Sequence, residues 1–156
     1  MKNFILFNLV LLLCFACKEQ SHIKEEGFEG YIFKSDSLNN FFIEGKVKGF
    51  IPFKNEILFT EQLINQQIVQ LTKFHKYGEC PVIHKNLNNY YRQYVGYINE
   101  KGEKIIWINF LWKKSRLIEK VSKEIIFVDD GCSNYWNVKV NLTKHILFEI
   151  LVNGSA

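Results

Sequence analysis

The chain has 156 residues, room for one domain and not comfortably for two. With 47% hydrophobic residues, 15% aromatic residues and two prolines, it cannot be a disordered or low-complexity chain. The net charge of +4 is spread out, with Lys and Glu alternating at Lys18-Glu19, Glu100-Lys101 and Lys123-Glu124, so no nucleic-acid partner is expected.

Lys2 precedes an apolar run from Phe4 to Ala16, interrupted only by Asn8. As a helix this run spans about 20 Å, short of the ~30 Å hydrocarbon core. It therefore suits a signal-peptide core better than a permanent membrane span. The run ends in Cys14-Phe15-Ala16-Cys17. A small residue directly before a cysteine resembles the lipobox of bacterial lipoproteins; Cys14 and Phe15 stand where a lipobox usually carries Leu and a small residue. The resemblance implies cleavage after Ala16, lipidation of Cys17 and a membrane partner reached through that lipid. The plainer alternative is a secretory signal cut near Ala16, with Cys17 an ordinary cysteine. Lys18-Glu19-Gln20 is similar to the short Lys-acidic stretch of surface-exposed Bacteroidetes lipoproteins, which implies the outer membrane of a bacterial envelope. The polar run that follows predicts a flexible tether. The expected layout is a signal peptide over 1–16, a tether over 17–27 and one domain over 28–156.

Within the domain, Tyr31-Ile32-Phe33, Phe41-Phe42-Ile43 and Phe50-Ile51 suggest one or two short strands. Residues 55–76 predict the one clear helix, with Ile57, Ile64, Ile68 and Leu71 on one face. Asn55 is placed to cap it, Lys73 and Lys76 fall in its last turn, and Gly78 and Pro81 stop it. From residue 90 onward the pattern predicts an antiparallel meander. Tyr91 to Ile98 turns through Asn99-Glu100-Lys101-Gly102 into Lys104 to Trp112. Glu124 to Val128 is read as a third strand, followed by a turn at Asp129-Asp130-Gly131. Tyr135 to Leu142 alternates cleanly, with Trp136, Val138, Val140 and Leu142 on one face. In the last strand Ile146, Phe148, Ile150 and Val152 are expected to share a face.

One amphipathic helix followed by four to five antiparallel strands predicts an α+β fold in which a curved sheet packs on the helix. This order is similar to the cystatin-like roll. The text from Arg92-Gln93-Tyr94-Val95-Gly96-Tyr97 to Val152-Asn153-Gly154-Ser155-Ala156 also resembles small uncharacterised Bacteroidetes lipoproteins. Those motifs are strand and turn text, so the resemblance implies a fold and a compartment and no activity.

Cys80 and Cys132 remain once Cys17 is set aside. In an exported protein they form a disulfide or stay as two free buried thiols; the sequence gives no distance between them. His75, Cys80 and His84 match no zinc spacing, so no metal is expected. Glu61 falls at the edge of the helix's apolar face. It is read as a boundary carboxylate reaching Arg92 or Tyr94, or as a pocket carboxylate acting as a base. Trp107, Trp112 and Trp136 are core residues or an aromatic ligand platform. Asn141-Leu142-Thr143 and Asn153-Gly154-Ser155 fit the N-glycan sequon, and Asp36-Ser37-Leu38 resembles a short O-glycosylation motif of Bacteroidetes exported proteins. Phosphate-cradling, nucleophile-elbow and dinucleotide motifs are missing, so no cofactor and no catalytic residue are expected. The expected function is a non-enzymatic binding or interaction module, taking a protein or small-molecule ligand, on a lipid anchor. The alternatives are a small enzyme using the roll's concave face, and an inhibitor or immunity protein.

Overall fold

A computed structural model describes residues 22–154. The signal segment 1–16, Cys17 and the first part of the tether lie outside the described residues. The fold is α+β: one helix, α1 (Lys54–Thr72), on a seven-stranded, mostly antiparallel open sheet. The strands are β1 (His22–Glu25), β2 (Phe28–Phe33), β3 (Lys46–Phe50), β4 (Tyr90–Asn99), β5 (Lys104–Trp112), β6 (Tyr135–Asn141) and β7 (Ile146–Val152).

The sheet order is β1-β2-β4-β5-β6-β7, with β3 also paired to β4. β4 is long enough to take two neighbours along one edge. β2 runs parallel to it beside Tyr91–Val95, and β3 runs antiparallel to it beside Gly96–Asn99. The residues after 28 thus give two short strands, within the expected one or two, and with β1 they bring the sheet to seven strands, above the four to five expected. The tether is also shorter than expected: His22–Glu25 lies in the sheet, antiparallel to β2, and Ile23 is buried. One apolar side chain in a polar run is enough when it lands on the core face of an existing edge.

The helix begins one residue before Asn55, which lies inside it. Glu56 is the residue that closes the first turn, its carboxylate accepting the Phe53 backbone N–H at 2.9 Å. The helix ends at Thr72, short of the expected 76. The Thr72 hydroxyl donates back to the Ile68 carbonyl at 2.8 Å, a bond that competes with continued helix. Lys73 and Lys76 therefore lie beyond the last turn. Ile57, Ile64 and Ile68 face the sheet as expected, joined by Leu63, while Leu71 is partly exposed. Gln67 ties the helix to the sheet's edge. Its amide donates to the His145 carbonyl and accepts the Leu147 N–H, both at 2.9 Å, so it pairs the start of β7 where no further strand does.

The hairpin between β4 and β5 forms as the sequence predicts. Gly102 takes a positive φ of 74°, and the Asn99 side chain accepts the N–H groups of Lys101 and Glu103. The segment 124–128 does not form a strand. β5 already pairs β6 along its free edge, from Ile105↔Asn141 to Leu111↔Tyr135, so no ladder position is left. The segment instead crosses the face of the sheet opposite α1. There its backbone is satisfied by side chains: Gln93 donates to the carbonyls of Val121 and Glu124 and accepts the Ile126 N–H, and Asn109 donates to the Ile126 carbonyl. Gln93 and Asn109 are register partners on β4 and β5 and are themselves bonded at 3.1 Å.

Both faces of the sheet are therefore covered. The inner face packs Tyr90, Tyr94, Ile106, Ile108, Phe110, Trp136 and Val138 against α1. The outer face is covered by two loops. One brings Leu38 and Ile43 onto Val95, Tyr97 and Trp107; the other brings Val121 and Ile126 onto Leu111.

β7 departs from simple alternation. Asn137 opposes Leu151 but Lys139 opposes Phe148, so one extra residue sits in β7. Glu149 takes a left-handed φ of 49° in this bulge. Phe148 and Glu149 consequently follow one another on the outer side, and Leu147, Ile150 and Val152 face the helix. The expected shared face of Ile146, Phe148, Ile150 and Val152 is broken at that point.

Gln93→Leu is expected to cost about 2–3 kcal/mol in urea unfolding, because it strands the backbone groups of 121–126 without partners. Amide exchange should rise in that segment first. Unchanged protection of the Ile126 amide would contradict this account of how the loop is held.

Candidate functional site

Glu61 projects from the middle of α1 onto β4. Arg92 meets it in two places, Nε to Oε1 at 3.3 Å and Nη2 to Oε2 at 3.2 Å. Its remaining nitrogen, Nη1, donates to the Tyr90 carbonyl at 2.7 Å, and the Tyr94 hydroxyl donates to Glu61 Oε1 at 2.7 Å. The guanidinium lies 5.7 Å from the Phe28 ring centre and 5.2 Å from that of Phe110. Side-chain exposure is 1% for Arg92 and 6% for Glu61, so both charges are out of water and must be satisfied within the protein. Burial, and then the Glu61 carboxylate beside it, push the Tyr94 phenol well above its ordinary value.

This arrangement corrects the reading of Glu61 as a pocket carboxylate. The residue does not line a described cavity, and both oxygens are engaged by fixed donors. The boundary reading, with Arg92 and Tyr94 as partners, is the geometry found.

The Cys80 and Cys132 sulfurs are bonded, joining the loop after α1 to the turn before β6. Cys80 is thereby unavailable to a metal, and His75 packs its ring edge against Tyr77 instead. Among the described residues no group of three or more His, Cys, Asp or Glu side chains is placed to hold a metal ion. Nor is any described helix long and apolar enough to cross a membrane. Asp129 and Asp130 lead into a turn at Gly131, whose φ is 92°. In the two sequons the asparagine amides are engaged: Asn141 donates to Glu103, and Asn153 to the carbonyls of Val128 and Asp130.

The three tryptophans do not make one platform. Trp136 stacks on Phe110 with ring centres 3.7 Å apart, and Trp112 meets Tyr90 edge-on at 5.0 Å, both on the helix side. Trp107 lies on the opposite face, under Phe42 at 5.6 Å. Above it Phe42 stacks on Phe127 at 4.9 Å, and Phe41 meets Phe42 edge-on at 5.3 Å.

This aromatic group borders two adjoining cavities on the outer face of β6 and β7. One, of about 330 Å³, is lined by Phe42, Phe127, Asp129, Asn137 and Asn153, among others. The second, of about 250 Å³, shares Phe42, Asn137 and Leu151 and adds Phe41, Glu44, Lys139 and Glu149. Lys139, only 8% exposed, is ion-paired to Glu149. The groove was not legible in the sequence. It depends on the β7 bulge and on two loops that approach the sheet from distant parts of the chain. The only local sign was the run Asn39-Asn40-Phe41-Phe42, where apolar rings follow turn residues.

No family model, curated protein or solved structure matches the chain.

Arg92→Met is expected to destabilise the fold by about 3–5 kcal/mol, since it leaves the Glu61 carboxylate buried without its cation. Adding Glu61→Leu should recover part of that loss in denaturant titrations; a purely additive double variant would show that the two charges are not coupled. The raised Tyr94 phenol gives a second check. In the unfolded chain the group ionises near its ordinary pKa of 10.0, while in the fold it resists ionisation. Its contribution is therefore complete below pH 10 and is lost as pH rises above it. Tyr94→Phe should flatten the fall in stability above about pH 10 relative to the parent chain.

Proposed function

We propose that the chain is an exported protein held at a bacterial envelope membrane by lipid on Cys17, with a domain that acts as a non-enzymatic binding module. The observation that carries this reading is the Cys80–Cys132 disulfide. Such bonds persist in oxidising compartments outside the cytosol. The bond closes 52 residues of chain, which by loop entropy contributes about 4 kcal/mol. The apolar run ending at Ala16-Cys17 supports the same compartment and adds the anchor. Lys18-Glu19-Gln20 supports placement in the outer membrane, facing outward.

The binding role rests on the outer-face groove, where partly exposed rings and charged side chains meet beside well-packed strands. The alternative of a small enzyme with Glu61 as base loses its support, because that carboxylate is held by Arg92 and Tyr94. The order of α1 followed by the β4–β7 meander supports the cystatin-like reading of the domain, with β1–β3 as additions on the β4 edge.

Mass spectrometry of the mature protein purified from membranes is expected to find an N-terminus at Cys17 carrying acyl chains. Cys17→Ala should move the protein from the membrane to the soluble fraction. An unmodified chain starting at another residue would overturn the anchor.

A further inference from the structure

The outer-face groove has a chemistry that selects its ligand. Its walls are aromatic, and the rings are not fully covered: Phe41 is 74% exposed and Phe127 49%. Exposed rings clustered at adjoining cavities mark a contact surface more often than chance scatter does. The charges at the groove are mostly negative. Lys139 is neutralised by Glu149. Glu44 and Asp129 also line the cavities, and neither makes a hydrogen bond or ion pair among the described residues. Each stands two positions after a ring of the stacked pair, Glu44 after Phe42 and Asp129 after Phe127. Uncompensated carboxylates beside aromatic rings occur here on a chain whose net charge is +4.

Three ligand charges can be compared. An anion would meet Glu44 and Asp129. A neutral hydroxyl-rich ligand would find one open amide, that of Asn137, whose oxygen accepts from Trp107, since Asn109 donates to Gln93 and Ile126 and Asn153 to Val128 and Asp130; it would leave both carboxylates without a counter-charge. A cation is attracted both by the ring quadrupoles and by the carboxylates. A hydrated metal ion would gain nothing from the rings, whereas an organic ammonium ion carries apolar surface that they can cover.

We propose that the larger cavity of this groove binds a small organic ammonium ion, its alkylated nitrogen against the exposed Phe127 ring and its charge offset by Asp129, with Glu44 adding negative field from the adjoining cavity. This rests on the binding-module reading and names the ligand class for it.

The test is calorimetry on the full-length chain in non-ionic detergent, with choline as probe and 3,3-dimethylbutanol as its uncharged isostere. Choline is expected to bind at least ten-fold more tightly than the isostere and to weaken with added salt. Phe127→Ala and Asp129→Asn should each weaken choline about five-fold. Asp129→Asn is an isosteric change on a turn, and its unfolding midpoint should match the parent's. Equal binding of the alcohol, no binding of choline, or unchanged affinity in both variants would each overturn the proposal. A titration with N-acetylglucosamine separates the two levels. If the sugar binds and choline does not, the ammonium site falls while the binding module stands.

Discussion

The buried pair of Glu61 and Arg92 fixes how the helix sits on the sheet. Two charges removed from water tolerate little displacement, because each loses its counter-ion among the described residues if the elements slide. Arg92 belongs to β4, the strand that carries β2 and β3 on one edge and β5 on the other. The long Arg92 side chain reaches from that strand to α1, whose backbone runs closest to β7 and β6. The surroundings are shaped to the pair. Phe28 and Phe110 supply ring contacts to the guanidinium, and Tyr94 completes the carboxylate's hydrogen bonding. Gly30 on β2 leaves the needed space: a Cβ there would meet the Tyr94 ring at 2.6 Å and the Arg92 carbonyl at 2.7 Å. Such a contact is below any real van der Waals separation, so this strand approaches β4 only because position 30 has no side chain.

A second polar device organises the other face. Gln93 and Asn109 sit beside Arg92 and Phe110 in sequence but point the opposite way. They hold an irregular loop where a strand ladder would otherwise be needed. Polar side chains in the middle of the two central strands thus do different work on the two faces. On one they lock the helix; on the other they satisfy the backbone of a cover segment. The loop runs on to the end of β7, where Asn153 donates to the carbonyls of Val128 and Asp130, and the aromatic groove lies beside it.

The groove and the disulfide are connected through the end of the sheet they share. The disulfide pins the turn at Cys132, immediately before β6, and the Cys132 N–H also donates to Gly154 at 2.8 Å, just beyond β7. The end of the sheet that borders the groove is therefore held from two directions. A rigid frame beneath a few exposed rings is the usual arrangement for selective binding, because less order has to be imposed when the ligand arrives. Glu149 in its left-handed bulge adds to that frame, since a non-glycine residue keeps such a conformation only when its surroundings impose it.

Much of this was legible in the residues alone. The helix, the β4–β5 hairpin and the inward face of β6 followed from periodicity and turn chemistry, which act over a few residues. Glu61 could be matched to Arg92 or Tyr94 because a carboxylate on an apolar helix edge needs a partner. The apolar run and Cys17 are local text as well. What tertiary structure alone decided was everything that depends on competition for partners. Residues 124–128 have strand composition, but β6 occupies the edge of β5 that they would need. His22–Glu25 has tether composition, but β2 offers it an edge. The β7 bulge turned one face of a regular pattern, and whether Cys80 meets Cys132 depended on how the helix end and the β6 turn pack. The sequence by itself thus determined the local elements and the need to pair buried charges. The fold decided which edges, faces and cysteines met, because those choices are set by long-range packing and not by neighbours in the chain.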